Sequence, residues 1–295
     1  MLFIVQTTLQ LGLIYGLVSL ALFVSYRILN IADLSTDGTF VLGMCVSVAF
    51  AYNGHPILAL FMAILSGALS GTITAYLQTY LEIPSILAGI ITNTGLYTIN
   101  LMIMNYSSNL ALLKQETVFS ILENKGINNS SIILPALIFI LISTLLYLFL
   151  KTRLGLSIRA TGDNTDMVLA SSIDARKTTI IGLAIANSIT SLSGGLVGQF
   201  QRTADINSGT GVVVIGLACL IIGESIISKD SILKNILATL IGSIIYRLLY
   251  AIILRTRIFP IEFLKLITAF IITIAIGLPS IRKTIISNTK EKRHA

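Results

Sequence analysis

Residues 151–179 read KTRLGLSIRATGDNTDMVLASSIDARKTT. This is the longest polar interruption in the second half of the chain, and it carries Lys151, Arg153, Arg159, Arg176 and Lys177. Long apolar runs flank it on both sides. Basic loops between membrane spans stay in the cytoplasm, so this stretch orients everything around it. It also contains a short helix of its own. Asp163 or Asn164 can cap that helix, and Met167, Ala170, Ser171 and Ile173 fall on one face. A small amphipathic helix held between two spans suits docking to a soluble partner. The plainer reading is a solvated connector.

The composition agrees with a membrane setting. Of 295 residues, 55% are hydrophobic and 11% charged, and the mean hydropathy is +0.90. A soluble domain carries about 25% charged residues. Several stretches are long enough to cross a hydrocarbon core of about 30 Å as helices. The expected fold is therefore all-α: one polytopic transmembrane domain over 1–295 with eight or nine membrane helices. The net charge of +7 reflects basic loops and a basic tail, so the expected environment is a lipid bilayer and not nucleic acid. Cys45 and Cys219 lie in apolar runs, and the histidines are His55 and His294. Neither a disulfide framework, a metal site nor another cofactor is expected. No G-x-x-x-x-G-K-[ST] loop occurs, so ATP is not bound by that route. Residues 1–3 lack a basic leader, and the first apolar segment reads as a retained span.

Taken in order, 2–24 is the first span, with Gly12 and Gly16 spaced for close helix approach. Residues 25–44, SYRILNIADLSTDGTFVLGM, place Asp33 and Asp37 between apolar runs. Thr36 or Asp37 could cap a helix beginning near Thr39 and ending near Tyr52. About fifteen residues is marginal for a full crossing. Residues 38–52 are thus either an ordinary capped helix or a broken, re-entrant segment, and broken helices often line transport pathways.

Spans follow at 57–80, rich in small residues, and at 85–104, where Asn93 and Asn100 share a face. Those amides either bond between helices or line a path. Residues 105–130 form a polar loop expected on the extracytoplasmic side, and 131–150 return to the basic stretch. The span over 180–200 has a small, polar face that includes Asn187 and Ser191. Further spans are read at 212–227, at 235–254 with Arg247, and at 259–279 with Glu262 and Lys265 spaced to pair. On this plan thirteen basic residues lie inside and five outside, which puts the C-terminus in the cytoplasm. The N-terminus lies outside if 38–52 crosses, and inside if it does not.

Residues 26–43, YRILNIADLSTDGTFVLG, resemble the signature of membrane permeases of bacterial ABC importers, in the branched-chain amino acid and ribose permease class. They are most like the branch whose fingerprint reads fRiLn-x-x-DLTvDGSFxlGa. Ser35 replaces the usual Thr, Thr36 the usual Val and Thr39 the usual Ser. LAGIITNTGLYTINLMIM (87–104), RATGDNTDMVLASSID (159–174) and VIGLACLIIGES (214–225) add support. That branch includes proposed tryptophan and tyrosine importers. The resemblance implies two permease copies, two cytoplasmic ATP-binding subunits and an extracytoplasmic substrate-binding protein. It implies that 164–173 couples to the ATPase, through Asn164, Asp166, Met167, Ala170, Ser171 and Ile173.

The expected function is that of a permease subunit of an ATP-driven importer in the cytoplasmic membrane. It has no chemistry of its own and moves a small solute, such as tyrosine or tryptophan, inward. Candidate path residues are Asp33, Asp37, Asn93, Asn100, Asn187 and Ser191, with a structural role as the alternative for the two aspartates. The competing function is a secondary transporter driven by an ion gradient. That would need an ionisable relay among Asp33, Asp37, Glu224, Arg247, Glu262 and Lys265. A membrane-embedded enzyme is disfavoured, because no His/Cys/carboxylate cluster or Ser/His pair occurs in the spans.

Overall fold

The computed structural model describes residues 2–256 apart from 125, 127, 128, 172 and 228–230, together with residues 266, 269, 270 and 273. The rest of the expected span at 259–279, the Glu262–Lys265 pair and the tail from Arg282 lie outside the described residues. Among the described residues, seven helices are long and apolar enough to cross a membrane, and the apolar helix Thr36–Tyr52 is shorter. The protein is an all-α polytopic membrane protein.

The elements run α1 (Leu2–Leu22), a π-helical turn (Phe23–Ile28), α2 (Thr36–Tyr52), α3 (Pro56–Thr79), α4 (Ser85–Ile103), β1 (Asn109–Ala111), α5 (Val118–Asn124) and α6 (Ser130–Leu150). They continue with α7 (Arg153–Asp163), α8 (Thr165–Ala170), α9 (Ala175–Gln201), β2 (Thr203–Asp205), α10 (Val212–Ile226) and α11 (Ile232–Thr256). The basic stretch thus forms two helices, α7 and α8, where one was expected. The polar loop over 105–130 contains β1 and α5, and β1 pairs antiparallel with β2, Leu110 opposite Ala204.

α9 is the central post, with α2, α3 and α1 packed around it. Its small residues set the spacing. A Cβ on Gly43 would collide with the Ser191 carbonyl, one on Gly194 with the Phe40 carbonyl, and one on Gly71 with the Leu183 carbonyl. Without a hydrophobic drive between helices in lipid, such backbone-to-backbone approach is a main source of packing energy. The Gly12/Gly16 pair works the same way against α11. An added Cβ would lie 3.2 Å from the Ile244 backbone at Gly12 and 3.0 Å from Ser243 Oγ at Gly16.

Contacts along α9 give the course of α2. Leu29 packs on Gly182 near the end of α9 that carries α7 and α8. Asp33 bonds to Asn187 in the middle, and Ser47 bonds to Gln199 at the far end. The chain therefore climbs from one end of the bundle to the other over 29–52. It does so first as non-helical backbone, then as α2, which starts at the depth of Asn187. Segment 38–52 is the upper part of a crossing, so the start of α1 lies at the end opposite α7 and α8. The helix opens at Thr36, with Ser35 at the N-cap, three residues before the expected start at Thr39. Asp37 sits in its first turn and turns away to cap a different helix.

α10 descends in the complementary way. Residues 206–211 drop from β2 as turns, and α10 begins at the depth of Asp37 and runs to the basic end. There Glu224 pairs with Arg27 of the π-helical turn at 3.1 Å.

Candidate functional site: a mid-depth cleft and an exposed end helix

The two aspartates of the 26–43 stretch have different surroundings. Asp33 is 3% exposed. Its Oδ1 accepts the Ser35 N–H at 2.8 Å and the Ser35 hydroxyl at 2.6 Å. Its Oδ2 accepts Asn187 Nδ2 at 2.7 Å. A carboxylate at this depth persists only with such donors. The short Ser35 bonds fold the chain into an Asx turn that launches α2. Asp33 and Asn187, 154 residues apart, form one buried lock between α2 and α9. Ser191, one turn further along α9, donates to the Ala63 carbonyl of α3 at 2.6 Å. These three candidates therefore hold helices together in this conformation.

Asp37 joins two elements far apart in sequence. Its Oδ2 accepts the Gly211 N–H at 3.0 Å and its Oδ1 the Val213 N–H at 2.8 Å. Both donors belong to the start of α10, where free N–H groups and the helix dipole favour a negative charge. Gly211 adopts φ +85°, a conformation that glycine supplies at little cost.

Asp37 also borders a cleft of about 530 Å³ between α2, α4 and the segment leading to α10, lined among others by Asn93, Tyr97, Asn100, Asn207 and Thr210. Asn93 lies directly against Gly38, where a Cβ would meet its side chain. Asn100, 1% exposed, donates from Nδ2 to the Gly38 carbonyl at 3.3 Å. Three of the six path candidates, Asp37, Asn93 and Asn100, thus meet at one opening. Of the others, Asp33 and Asn187 form the lock, and Ser191 ties α9 to α3.

At the basic end, α8 stands apart. Asn164 caps it, accepting the Met167 N–H at 3.1 Å. Ser171 Oγ closes the other end on the Met167 carbonyl at 2.7 Å. Only Val168 is buried. Asp166, Ala170 and Ser171 are exposed and Ile173 half-buried, while Met167 and Leu169 are 55% and 65% exposed. The following helix is capped by Asp174, which accepts the N–H groups of Arg176 at 3.0 Å and Lys177 at 3.3 Å.

One element of the site has no signal in the local sequence pattern. Gln199, 1% exposed, accepts the Val118 N–H at 2.8 Å and donates to Ser47 Oγ and the Pro56 carbonyl, each at 2.9 Å. It ties the α5 loop to α2 and α3 at the end opposite α8. A lone glutamine near the end of an apolar span does not disclose three partners on three elements.

The family model described as the branched-chain amino acid transport system / permease component matches residues 4–276. The chain belongs to that permease family. Among relatives, the permease is 36% identical over 263 residues to a protein of Clostridioides difficile (strain R20291) named "Tyrosine transport system permease protein", covering 88% of this chain and 86% of that one. It is 36% identical over 280 residues to "Uncharacterized protein RP368" of Rickettsia prowazekii (strain Madrid E), covering 93% of this chain and 97% of that one. No solved structure matches the permease. The resemblance read from residues 26–43 and the family match agree: this is a membrane subunit of an ABC-type amino acid transport system.

Proposed function

We propose that the permease is the translocation subunit of an ATP-driven importer that carries an aromatic amino acid, tyrosine or tryptophan, into the cytoplasm. The observation that carries the ATP-driven part is α8. It is a capped helix outside the bundle that holds Met167 and Leu169 in solvent at the end bearing the basic loops. Two large apolar side chains on so short a helix form an anchor for a partner. Asn164, Asp166, Ala170, Ser171 and Ile173 surround the anchor and complete the contact with a cytoplasmic ATP-binding subunit. Two permease copies and two such subunits make up the importer. α4 turns Thr94, Tyr97 and Thr98 outward beside the cleft, a polar face that suits a second copy better than lipid. The β1–β2 and α5 end receives an extracytoplasmic substrate-binding protein.

ATP binding and hydrolysis move α8 and, through α7 and α9, shift the helices that border the cleft as rigid bodies. The tyrosine assignment draws on the name of the C. difficile relative. Uptake of labelled tyrosine into proteoliposomes holding the permease, its ATP-binding subunit and its binding protein tests the proposal. Uptake is expected to need internal or external ATP according to orientation and to survive an uncoupler. Uptake that runs without ATP and collapses with the uncoupler would establish the ion-driven reading instead.

A further inference from the structure

Asp37 places a carboxyl group at mid-depth and, among the described residues, no cation pairs with it. Its bonds to Gly211 and Val213 use one position on each oxygen, and each carboxylate oxygen can accept a second donor. The Asn100 amide has its orientation set by the bond from Nδ2 to the Gly38 carbonyl. That bond leaves Oδ1, which is buried and receives no hydrogen bond. An unfilled buried acceptor is costly and is uncommon unless something fills it. Asp37, Asn100 and Tyr97 border the same cleft. The opening is thus bordered by a carboxyl group and an aromatic residue, with an unfilled amide oxygen buried beside it, groups that together favour a cation with several N–H donors.

Building on the translocation role proposed above, we infer that Asp37 recognises the ammonium group of the passenger, with Asn100 as second acceptor. The substrate class is then a protonated amine or α-amino acid, and solutes without an amine are excluded. As the ammonium seats, the Asn100 side chain gives up its bond to the Gly38 carbonyl and turns its Oδ1 toward the cleft. The bonds from Asp37 to the start of α10 connect this recognition to the helix that runs to the basic end.

The test uses the full-length permease in nanodiscs, with saturation-transfer NMR on two matched phenols. Tyramine carries the amine; 3-(4-hydroxyphenyl)propionate lacks it. The expected result is saturation of tyramine, competition by tyrosine, and no signal from the propionate. Asp37→Asn is expected to weaken tyramine about tenfold or more, and Asn100→Leu several-fold, the scale of lost charge-assisted and buried hydrogen bonds. Asp37→Asn also touches the α10 cap, so the comparison of the two phenols on the unmodified protein stands independently of folding. Equal binding of both phenols, or Asp37→Asn that unfolds normally and binds tyramine unchanged, would overturn the inference. Amine-selective binding in a permease that shows no ATP-driven uptake would sustain this site and overturn the importer reading alone. Uptake that carries both phenols equally would do the reverse.

Discussion

Replacing Asn187 by Ala removes the Nδ2 donor that Asp33 Oδ2 receives at 2.7 Å. The carboxylate stays buried with one oxygen unbonded, which costs about 1–3 kcal/mol. The expected result is a lower unfolding midpoint for the purified permease, with Asn187→Ser falling between. Gly43 makes a steric counterpart. Its Cα faces the Ser191 carbonyl so closely that a methyl group cannot fit without moving α2 away from α9. Gly43→Ala should cost about 3 kcal/mol, the upper range for overpacking, because backbone and not a flexible side chain is in the way. A thermal melt beside Gly95→Ala, where a Cβ meets nothing within 4 Å, checks that the loss comes from the contact. At this scale the sequence was partly legible. Asp33, Asp37 and Asn187 stand out because polar groups in spans are expensive. That Asp33 meets Asn187 across 154 positions, or that Asp37 caps a helix beginning at Val212, depends on tertiary packing that no local pattern encodes.

The helix of the basic stretch depends on its cap. Asn164→Ala deletes the acceptor for the Met167 N–H and should destabilise α8 by about 1 kcal/mol. Hydrogen exchange should speed up in α8 while α9, capped separately by Asp174, is unaffected. The Lys177 N–H above all holds the exposed Asp174 carboxyl below the usual carboxylate range, with the Lys177 ammonium and the Arg176 N–H adding to it. A lowered folded-state value means that its contribution is complete above the ordinary carboxylate range and is lost only as pH falls through the depressed value. Exchange at the first turn of α9 should therefore show no cap-dependent change between pH 7 and pH 5, whereas Asp174→Asn should speed it throughout that range and differ least from the unmodified permease at the acid end. Elements were read best where periodicity was strong. The α8 cap and the Gly12/Gly16 approach follow from local rules, whereas α7, the π-helical turn and β1–β2 do not. The turn over 23–28 continues an apolar span without a break, so nothing in its composition separates it from α-helix. The strands are three residues each and form only because their partner lies across the bundle.

Across the whole molecule, the course of residues 29–52 along α9 settles what the sequence left open between a crossing and a surface helix. α2 and α10 both begin at mid-depth, and their first turns meet at Asp37. Non-helical backbone at that depth is tolerated where protein buries it or a cavity reaches it, and both conditions hold beside the cleft. Arg27, Lys151, Arg153, Arg159, Arg176, Lys177 and Lys234 lie at the end where α7 and α8 are, the end that charge bias would place toward the cytoplasm. Under the proposed function, such an arrangement assigns one end to a nucleotide-driven partner and the mid-depth opening to a passenger.

The most direct measurement is recovery of the tagged permease from its native membranes after gentle solubilisation, with the co-purifying chains identified. A phosphate-loop ATPase should come with it, and Met167→Glu should release that ATPase while leaving the permease folded. A permease that is recovered alone and folded, and that moves solute in ATP-free vesicles under an ion gradient, would contradict the account.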